Sequence, residues 1–119
     1  MPTAVDIDID AALDRMGGDR ELLMRLIDFV VEDSPAFMDQ MKAALDDDRL
    51  ADVQRAAHSL RGLVSNVSCG AVQTQTVELE RLAQAGNRDG VARSLNRLIE
   101  LQASMMAKLA DVHRELKGA

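Results

Sequence analysis

Two stretches of the sequence carry apolar residues spaced alternately three and four positions apart, and this spacing constrains the fold more than any other feature. The members of the first stretch are Leu50, Val53, Ala57, Leu60, Val64 and Val67. Those of the second are Val91, Leu95, Leu98, Gln102, Met105, Leu109, Val112 and Leu116, of which only Gln102 is polar. Such spacing places side chains along one side of a helix, as in coiled-coil-like bundles. Two long amphipathic helices are therefore predicted.

The N-terminal part of the chain predicts a short helix followed by a longer one. The short helix should start near Asp8 or Asp10 and stop at Gly17 and Gly18, since glycine tolerates the left-handed backbone of a helix end. Asp19 is expected to cap the second helix. The predicted apolar side of that helix consists of Leu22, Leu26, Phe29 and Val30.

Pro35 interrupts the second helix, and the sequence leaves open whether it causes a kink or a break. Ser34 is a good cap and Pro suits a first helical turn, so a helix is expected to restart there. Its predicted inward residues are Phe37, Met38, Met41 and Leu45. The acidic residues at 46–48 should then form a solvated turn and cap the next helix.

A weaker helical pattern lies between the two apolar stretches, in Val72, Thr76, Leu79 and Ala83, and Gly86 or Asn87 should close it. Short connections force neighbouring helices to run antiparallel. The 119 residues are 47% hydrophobic, which is enough for one core. We therefore predict a single all-α domain over 1–119, an antiparallel up-and-down four-helix bundle with a short extra N-terminal helix.

Composition excludes several classes of function. The formal net charge is −6 and aromatic residues make up 2% of the chain, which argues against nucleic acid or an anionic membrane as a partner. The sequence shows no signal peptide and no apolar run long enough to span a membrane. Cys69 is the only cysteine, so an intramolecular disulfide is impossible, and a buried thiol at a helix end is expected. A cytoplasmic protein is predicted.

The helical phase around His58 predicts that this side chain points outward, because its neighbours Ala57 and Leu60 belong to the apolar stretch. On the same face lie Arg55, Arg61, Gly62 and Ser65. Glycine inside a helix costs about 1 kcal/mol relative to alanine. Because packing does not require glycine on an outward face, we interpret Gly62 as clearing space for another protein to reach the imidazole.

An exposed imidazole has a specific chemical use. Near neutral pH it is largely uncharged and has a free lone pair, so it can accept and return a phosphoryl group. Arg61, one turn away, could offset the negative charge that phosphorylation introduces. The alternative is a surface histidine beside a chance glycine, in a non-catalytic helical adaptor or dimerising bundle. For His113, which has Leu116 and Lys117 beside it, a plain surface position is predicted.

The segment AAHSLRGLVSN, residues 56–66, resembles the signature of histidine-containing phosphotransfer (HPt) domains, and the likeness extends over nearly the whole chain. The resemblance implies a helical bundle that carries a phosphoryl group between aspartates of receiver domains, commonly taking it from a hybrid sensor histidine kinase. It implies that His58 is phosphorylated, that Arg61 is the basic residue, and that Gly62 allows approach. Ser65 is expected to contribute to receiver access.

Glu80 and Ser68 are two further positions that bear on the resemblance. Some members hold the imidazole through a polar side chain, often Gln, of the neighbouring helix, and Glu80 lies at about that distance along the chain. Ser68 departs from the pattern, because Gly is usual ten residues after the histidine. A sensor-kinase phosphoacceptor helix is a poorer match, since Ser59 and Gly62 differ from it and the chain has no ATP-binding domain.

The resemblance also sets expectations about activity and partners. The protein should be a monomeric phosphoryl carrier without kinase activity of its own. It should need no cofactor, because the receiver domain would supply the Mg²⁺. The initiator Met favours a free-standing protein.

Overall fold

The computed structural model describes residues 5–118, which form five α-helices and one 3-10 turn. The helices are α1 (Ile9–Arg15), α2 (Arg20–Asp46), α3 (Leu50–Val64), α4 (Gly70–Gln84) and α5 (Arg88–Gly118), and the 3-10 turn (Ser65–Val67) follows α3 directly. No strand occurs within residues 5–118. The all-α prediction is confirmed.

Helices α2 to α5 form a closed ring in which each packs against two others. Helix α2 packs on α3 and α5, and α4 packs on the same two helices from the opposite side. Because connections of a few residues join consecutive helices, neighbours run antiparallel, as in an up-and-down bundle. Each helix contributes fully buried aliphatic side chains to the shared core, among them Val30, Leu60, Leu79 and Leu98. Helix α1 packs on α2 and on the 3-10 turn, as the predicted extra helix.

The starts of α1 and α2 are capped by aspartates, as predicted. Asp8 accepts a hydrogen bond from the backbone N–H of Ala11 at 2.9 Å, and Asp19 accepts one from that of Leu22 at 3.0 Å. Between the helices, Gly17 and Gly18 have φ values of +64° and +79°. This left-handed backbone is accessible to glycine without a steric cost, which explains why the two glycines end α1.

Of the apolar side predicted for the first half of α2, Val30 is buried, but the other three residues are displaced from the core by about one residue of helical phase. Leu22 and Phe29 are exposed and Leu26 is half-buried. The side of α2 that faces the core consists instead of Leu23, Ile27, Val30, Ser34, Met38, Met41 and Ala44. Both sets have helical spacing, and the structure buries the one that continues without interruption into the second half of the helix.

Pro35 neither breaks α2 nor starts a new helix, since the 27-residue helix runs through it. The prediction that Ser34 caps a helix is therefore wrong. Ser34 is buried inside α2, where its hydroxyl lies 3.2 Å from Nε2 of Gln102 on α5. Pro35 and Val31 lie on the exposed side, so water can reach the Val31 carbonyl to which proline cannot donate.

The acidic turn between α2 and α3 is solvated, as predicted, but its carboxylates do not cap α3. Arg49 occupies the N-cap position and makes no side-chain capping bond. Its guanidinium instead pairs with Asp47 at 3.3 Å and with Asp52 at 2.7 Å. Asp48 has a φ of +56° and pairs with Arg88 at the start of α5, which ties together two turns at the same end of the bundle.

The apolar stretches of α3, α4 and α5 are buried as predicted, with Leu50 partly buried at the start of α3. Gln102 is buried with them. Helix α3 ends through the 3-10 turn at Ser68, whose φ and ψ of 56° and 42° are left-handed. Cys69 follows, fully buried at the start of α4.

Candidate functional site

His58 lies on the outer face of α3, as the helical phase predicts. Its neighbours Ala57 and Leu60 are fully buried, whereas its own side chain is 68% exposed. The buried neighbours therefore hold this part of α3 against the core, and the imidazole of His58 stays accessible from solvent.

Helix α4 brings a carboxylate to the imidazole. Buried Thr76, Leu79 and Ala83 seat α4 in the core, and Glu80 follows Leu79 at the edge that faces α3. The Oε1 atom of Glu80 lies 2.9 Å from Nδ1 of His58, and the Glu80 side chain is only 15% exposed. The site therefore includes the predicted imidazole partner, held between the two helices.

Arg61 completes a three-residue cluster with His58 and Glu80. Its Nε lies 3.1 Å from Oε2 of Glu80, and its Nη2 lies 2.8 Å from Nδ1 of His58. Each carboxylate oxygen of Glu80 therefore has a different partner: Oε1 contacts the imidazole and Oε2 contacts the guanidinium.

The chemistry of these three groups assigns the proton on the imidazole. A carboxylate only accepts hydrogen bonds and a guanidinium only donates them, so Nδ1 cannot satisfy both Glu80 and Arg61. Because Arg61 already donates to Oε2 of Glu80, we assign the proton to Nδ1, from which it is donated to Oε1. In the neutral ring this leaves the lone pair on Nε2, the nitrogen that does not contact Glu80.

Gly62 and Ser65 lie in a groove beside His58. A Cβ atom at position 62 would meet no heavy atom within 4 Å, so nothing in the bundle's own packing requires this glycine. Ser65 donates its hydroxyl to the carbonyl of Gly62 at 2.6 Å, which keeps it close to the helix surface. Gln73 of α4 lines the same groove together with Arg61. Sequence reasoning missed Gln73, although it lies two helical turns before Glu80 on the same side of α4.

A second groove extends from His58 toward the start of α3. It is lined by Ala51, Gln54, Arg55, His58, Ser59 and Glu80. Arg55 is the cation of this groove, and its Nη2 contacts Oδ1 of Asp52. The imidazole therefore lies between Arg55 on one side and Arg61 on the other.

His113 has different surroundings. Its Nε2 lies 3.3 Å from Oδ1 of Asp28 on α2, and its side chain is 32% exposed. The predicted plain surface position is thus wrong in one respect, because the ring is half-buried and paired across two helices. Glycine is absent from its surroundings, which include Met24 and Lys117.

Within residues 5–118, no three side chains among the histidines, cysteines, aspartates and glutamates form a group that could hold a metal ion. Over the same residues, no helix combines the length and the apolar character needed to cross a membrane.

Comparison with known proteins is consistent with the geometry of the site. The family model described as "Hpt domain" matches residues 25–115, which include α3, α4 and the cluster around His58. No curated protein sequence matches the chain significantly. Among solved structures, the fold is similar to the histidine-containing phosphotransfer protein ZmHP2 from maize, with a TM-score of 0.76 and 19% identity over 89% of this chain and 78% of that one. The chain therefore belongs to the Hpt domain family, the histidine phosphotransfer modules that act with receiver domains and histidine kinases in phosphorelays.

Proposed function

We propose that His58 is the phosphoryl-carrying residue of this Hpt domain and that its Nε2 is the atom that receives the group. The contact of 2.9 Å between Nδ1 and Glu80 carries this proposal, because it holds the proton on Nδ1 and exposes the lone pair of Nε2. Gly62 leaves open the space that an approaching receiver domain needs.

The proposed step is a direct transfer from an aspartyl phosphate of a receiver domain. The lone pair of Nε2 attacks phosphorus, the Nε2–P bond forms, and the P–O bond to the aspartate breaks with the electron pair leaving on the carboxylate. The reverse step returns the phosphoryl group to the aspartate of another receiver. The receiver would supply the Mg²⁺ that neutralises the phosphoryl oxygens, so the carrier itself is proposed to need no cofactor.

Glu80 has a second role in this step. As Nε2 bonds to phosphorus, the ring gains positive charge, and the carboxylate that accepts the Nδ1 proton stabilises that charge. Arg61 positions the carboxylate by binding its other oxygen. Arg61 and Glu80 are therefore proposed to orient the ring, while Gly62 and Ser65 line the approach to it.

The proposal extends to the state and location of the protein. The four bundle helices close one core within a single chain, and we propose a monomer, although Leu22, Phe29, Val31 and Val77 are exposed large apolar side chains within residues 5–118. The buried free thiol of Cys69 suits the reducing cytoplasm. A hybrid sensor histidine kinase and response-regulator receivers are the proposed partners. The carrier is proposed to lack kinase activity of its own, in agreement with the absence of a phosphate-binding glycine-rich loop from the sequence.

A label-transfer experiment tests this function. The protein is incubated with a receiver domain phosphorylated with ³²P, and the label on the wild type is compared with that on His58→Gln and His113→Gln. We expect acid-labile, alkali-stable label on the wild type and on His113→Gln, and none on His58→Gln. Label that persists on His58→Gln, or that is lost in alkali, would rule out His58 as the carrier and favour the adaptor alternative.

A further inference from the structure

Arg61 already forms an ion pair with Glu80 in the structure. The Glu80 carboxylate is largely buried, and Arg61 supplies its nearest opposite charge at 3.1 Å. Withdrawing Arg61 toward a phosphoryl group would leave a partly buried carboxylate unpaired, which is unfavourable. It would also remove the group that positions the hydrogen-bond acceptor of Nδ1. A second cation would therefore neutralise a phosphoryl group on Nε2 without disturbing the Arg61–Glu80 pair.

Arg55 is a cation that can move at little cost. Its side chain is 74% exposed and its partner is Asp52 in the first turn of α3. Asp52 has a second partner, because Arg49 donates to its other oxygen at 2.7 Å. The helix dipole also favours a negative charge in this turn. Asp52 would therefore stay stabilised after Arg55 has left it.

Arg55 is also correctly placed. It lies three residues before His58 on α3, a spacing that puts two side chains about 5–6 Å apart at Cβ on one helix face. Arg55, His58 and Glu80 line the same open groove. A guanidinium can bind two phosphoryl oxygens at once, and this charge-assisted pairing is stronger than an exposed pair with a single carboxylate.

We propose that Arg55 is the phosphoryl-binding residue of this domain. On phosphorylation of His58, Arg55 leaves Asp52 and binds the oxygens of the phosphoryl group, while Arg61 remains with Glu80. This inference rests on the proposed function, because it requires the phosphoryl group on His58. It assigns separate tasks to the two arginines: Arg61 orients the imidazole and Arg55 binds what the imidazole carries.

Phosphoramidate provides a test that needs no partner protein. The Nε2–P bond forms as the P–N bond of phosphoramidate breaks and ammonia leaves, and ³¹P NMR then follows the phosphoryl group on the folded protein. A nearby cation favours the dianionic phosphoryl group, so Arg55→Ala should raise the midpoint of the ³¹P pH titration by about 0.5 pH unit. Arg93→Ala, which removes a cation from α5, is the matched control and should leave the midpoint unchanged.

Two further variants make the test specific to Arg55. Asp52→Asn releases Arg55 from its resting partner, so it should not raise the midpoint. Arg61→Ala should slow phosphorylation by phosphoramidate and leave the midpoint unchanged. An Arg55→Ala midpoint equal to that of Arg93→Ala, or a shift that appears only in Arg61→Ala, would overturn the role of Arg55. Failure of the wild type to become phosphorylated on His58 would instead contradict the proposed function itself.

Discussion

The Nδ1 atom of His58 on α3 and the Oε1 atom of Glu80 on α4 lie 2.9 Å apart, so the packing of two helices brings a hydrogen-bond partner to one imidazole. The two residues are 22 positions apart in sequence. Their contact depends on buried residues that hold α3 and α4 together, Leu60 and Leu79 among them. The reactivity proposed for His58 would therefore depend on the packing of the bundle and not on the signature segment alone.

Substitution of Glu80 should slow phosphorylation without unfolding the bundle. In Glu80→Ala the ring loses its acceptor at Nδ1 and the charge that stabilises the transition state, so we expect phosphorylation by phosphoramidate to be roughly tenfold slower. Glu80→Gln should be affected less, because an amide oxygen can still accept from Nδ1–H. Rates are measured by ³¹P NMR. Glu78→Gln, on the same helix but paired with Arg81, is the control and should behave as the wild type.

The prediction for Glu80 also has a spectroscopic signature. The ¹⁵N chemical shifts of the two ring nitrogens distinguish the tautomers of a neutral histidine. Wild-type His58 should be protonated on Nδ1, and Glu80→Ala should shift the ring toward protonation on Nε2. Equal tautomer populations in the two proteins would show that Glu80 does not set the proton position.

Substitutions of Gly62 should affect the stability of the fold and the rate of phosphotransfer differently. Since nothing lies within 4 Å of a Cβ at this helical position, Gly62→Ala should stabilise the protein by about 0.5–1 kcal/mol in urea unfolding. A larger side chain in Gly62→Leu should obstruct the receiver domain and slow transfer from it by about tenfold or more. Phosphorylation by the small phosphoramidate should be nearly unchanged. Equal slowing with both donors would argue against a role in protein access.

The left-handed backbone conformation of Ser68 should lower the stability of the fold, and the contact of its side chain with Arg15 of α1 should offset part of this loss. Its φ of 56° suits glycine, and a non-glycine residue there costs about 1 kcal/mol. Its hydroxyl, however, pairs with Arg15, which also donates to the Ser65 carbonyl at 2.9 Å. Ser68→Gly should therefore stabilise the Arg15→Ala background by about 1 kcal/mol and the wild type by less. Urea unfolding of the four proteins in this cycle measures the difference, and equal effects in both backgrounds would rule out the offset.

Ionisation of the Cys69 thiol should lower the stability of the fold at alkaline pH. Burial raises the pKa of its thiol, the backbone of Val72 lowers it in part, and the nearby Asp6 carboxylate raises it further. The thiol of the unfolded chain thus ionises at a lower pH than that of the folded protein. The contribution of the neutral Cys69 thiol to the free energy of unfolding is therefore fully present below about pH 8.5 and is lost as the pH rises above it. Urea midpoints at pH 7 and pH 10 should fall more for the wild type than for Cys69→Ala. A parallel decrease in the two proteins would contradict the assignment.

The sequence predicted the fold where one apolar stripe dominates a helix. Helices α3, α4 and α5 each have one dominant apolar stripe, and the residues predicted for these stripes are buried, apart from the partly buried Leu50. The prediction omitted Ala56 of α3 and Ser94 and Leu101 of α5, which are also buried. Helix α2 carries two apolar stripes side by side, one through Leu22 and Phe29 and one through Leu23 and Val30. Local spacing cannot choose between such stripes, because the choice depends on contacts with α3 and α5. The same contacts bury Ser34, which local sequence suggested as a cap.

The candidate site was predictable to a similar extent. Helical phase placed His58, Arg61, Gly62 and Ser65 on one outward face, and the structure agrees. Glu80 could be suggested only by resemblance, because a contact between two helices leaves no local pattern. The ion pairs of Arg61 with Glu80 and of Arg55 with Asp52 depend on side-chain geometry, which cannot be predicted from the spacing of residues in the sequence alone.

The ring nitrogen that carries the phosphoryl group shows whether Glu80 directs phosphorylation of His58. After phosphorylation of the folded protein, long-range ¹H–³¹P couplings identify the ring nitrogen that is bonded to phosphorus. The Nδ1 proton held by Glu80 predicts a single product, phosphorylated on Nε2 of His58. A phosphoryl group on Nδ1 of His58, or one found on His113 instead, would show that the contact with Glu80 does not direct phosphorylation to Nε2 of His58.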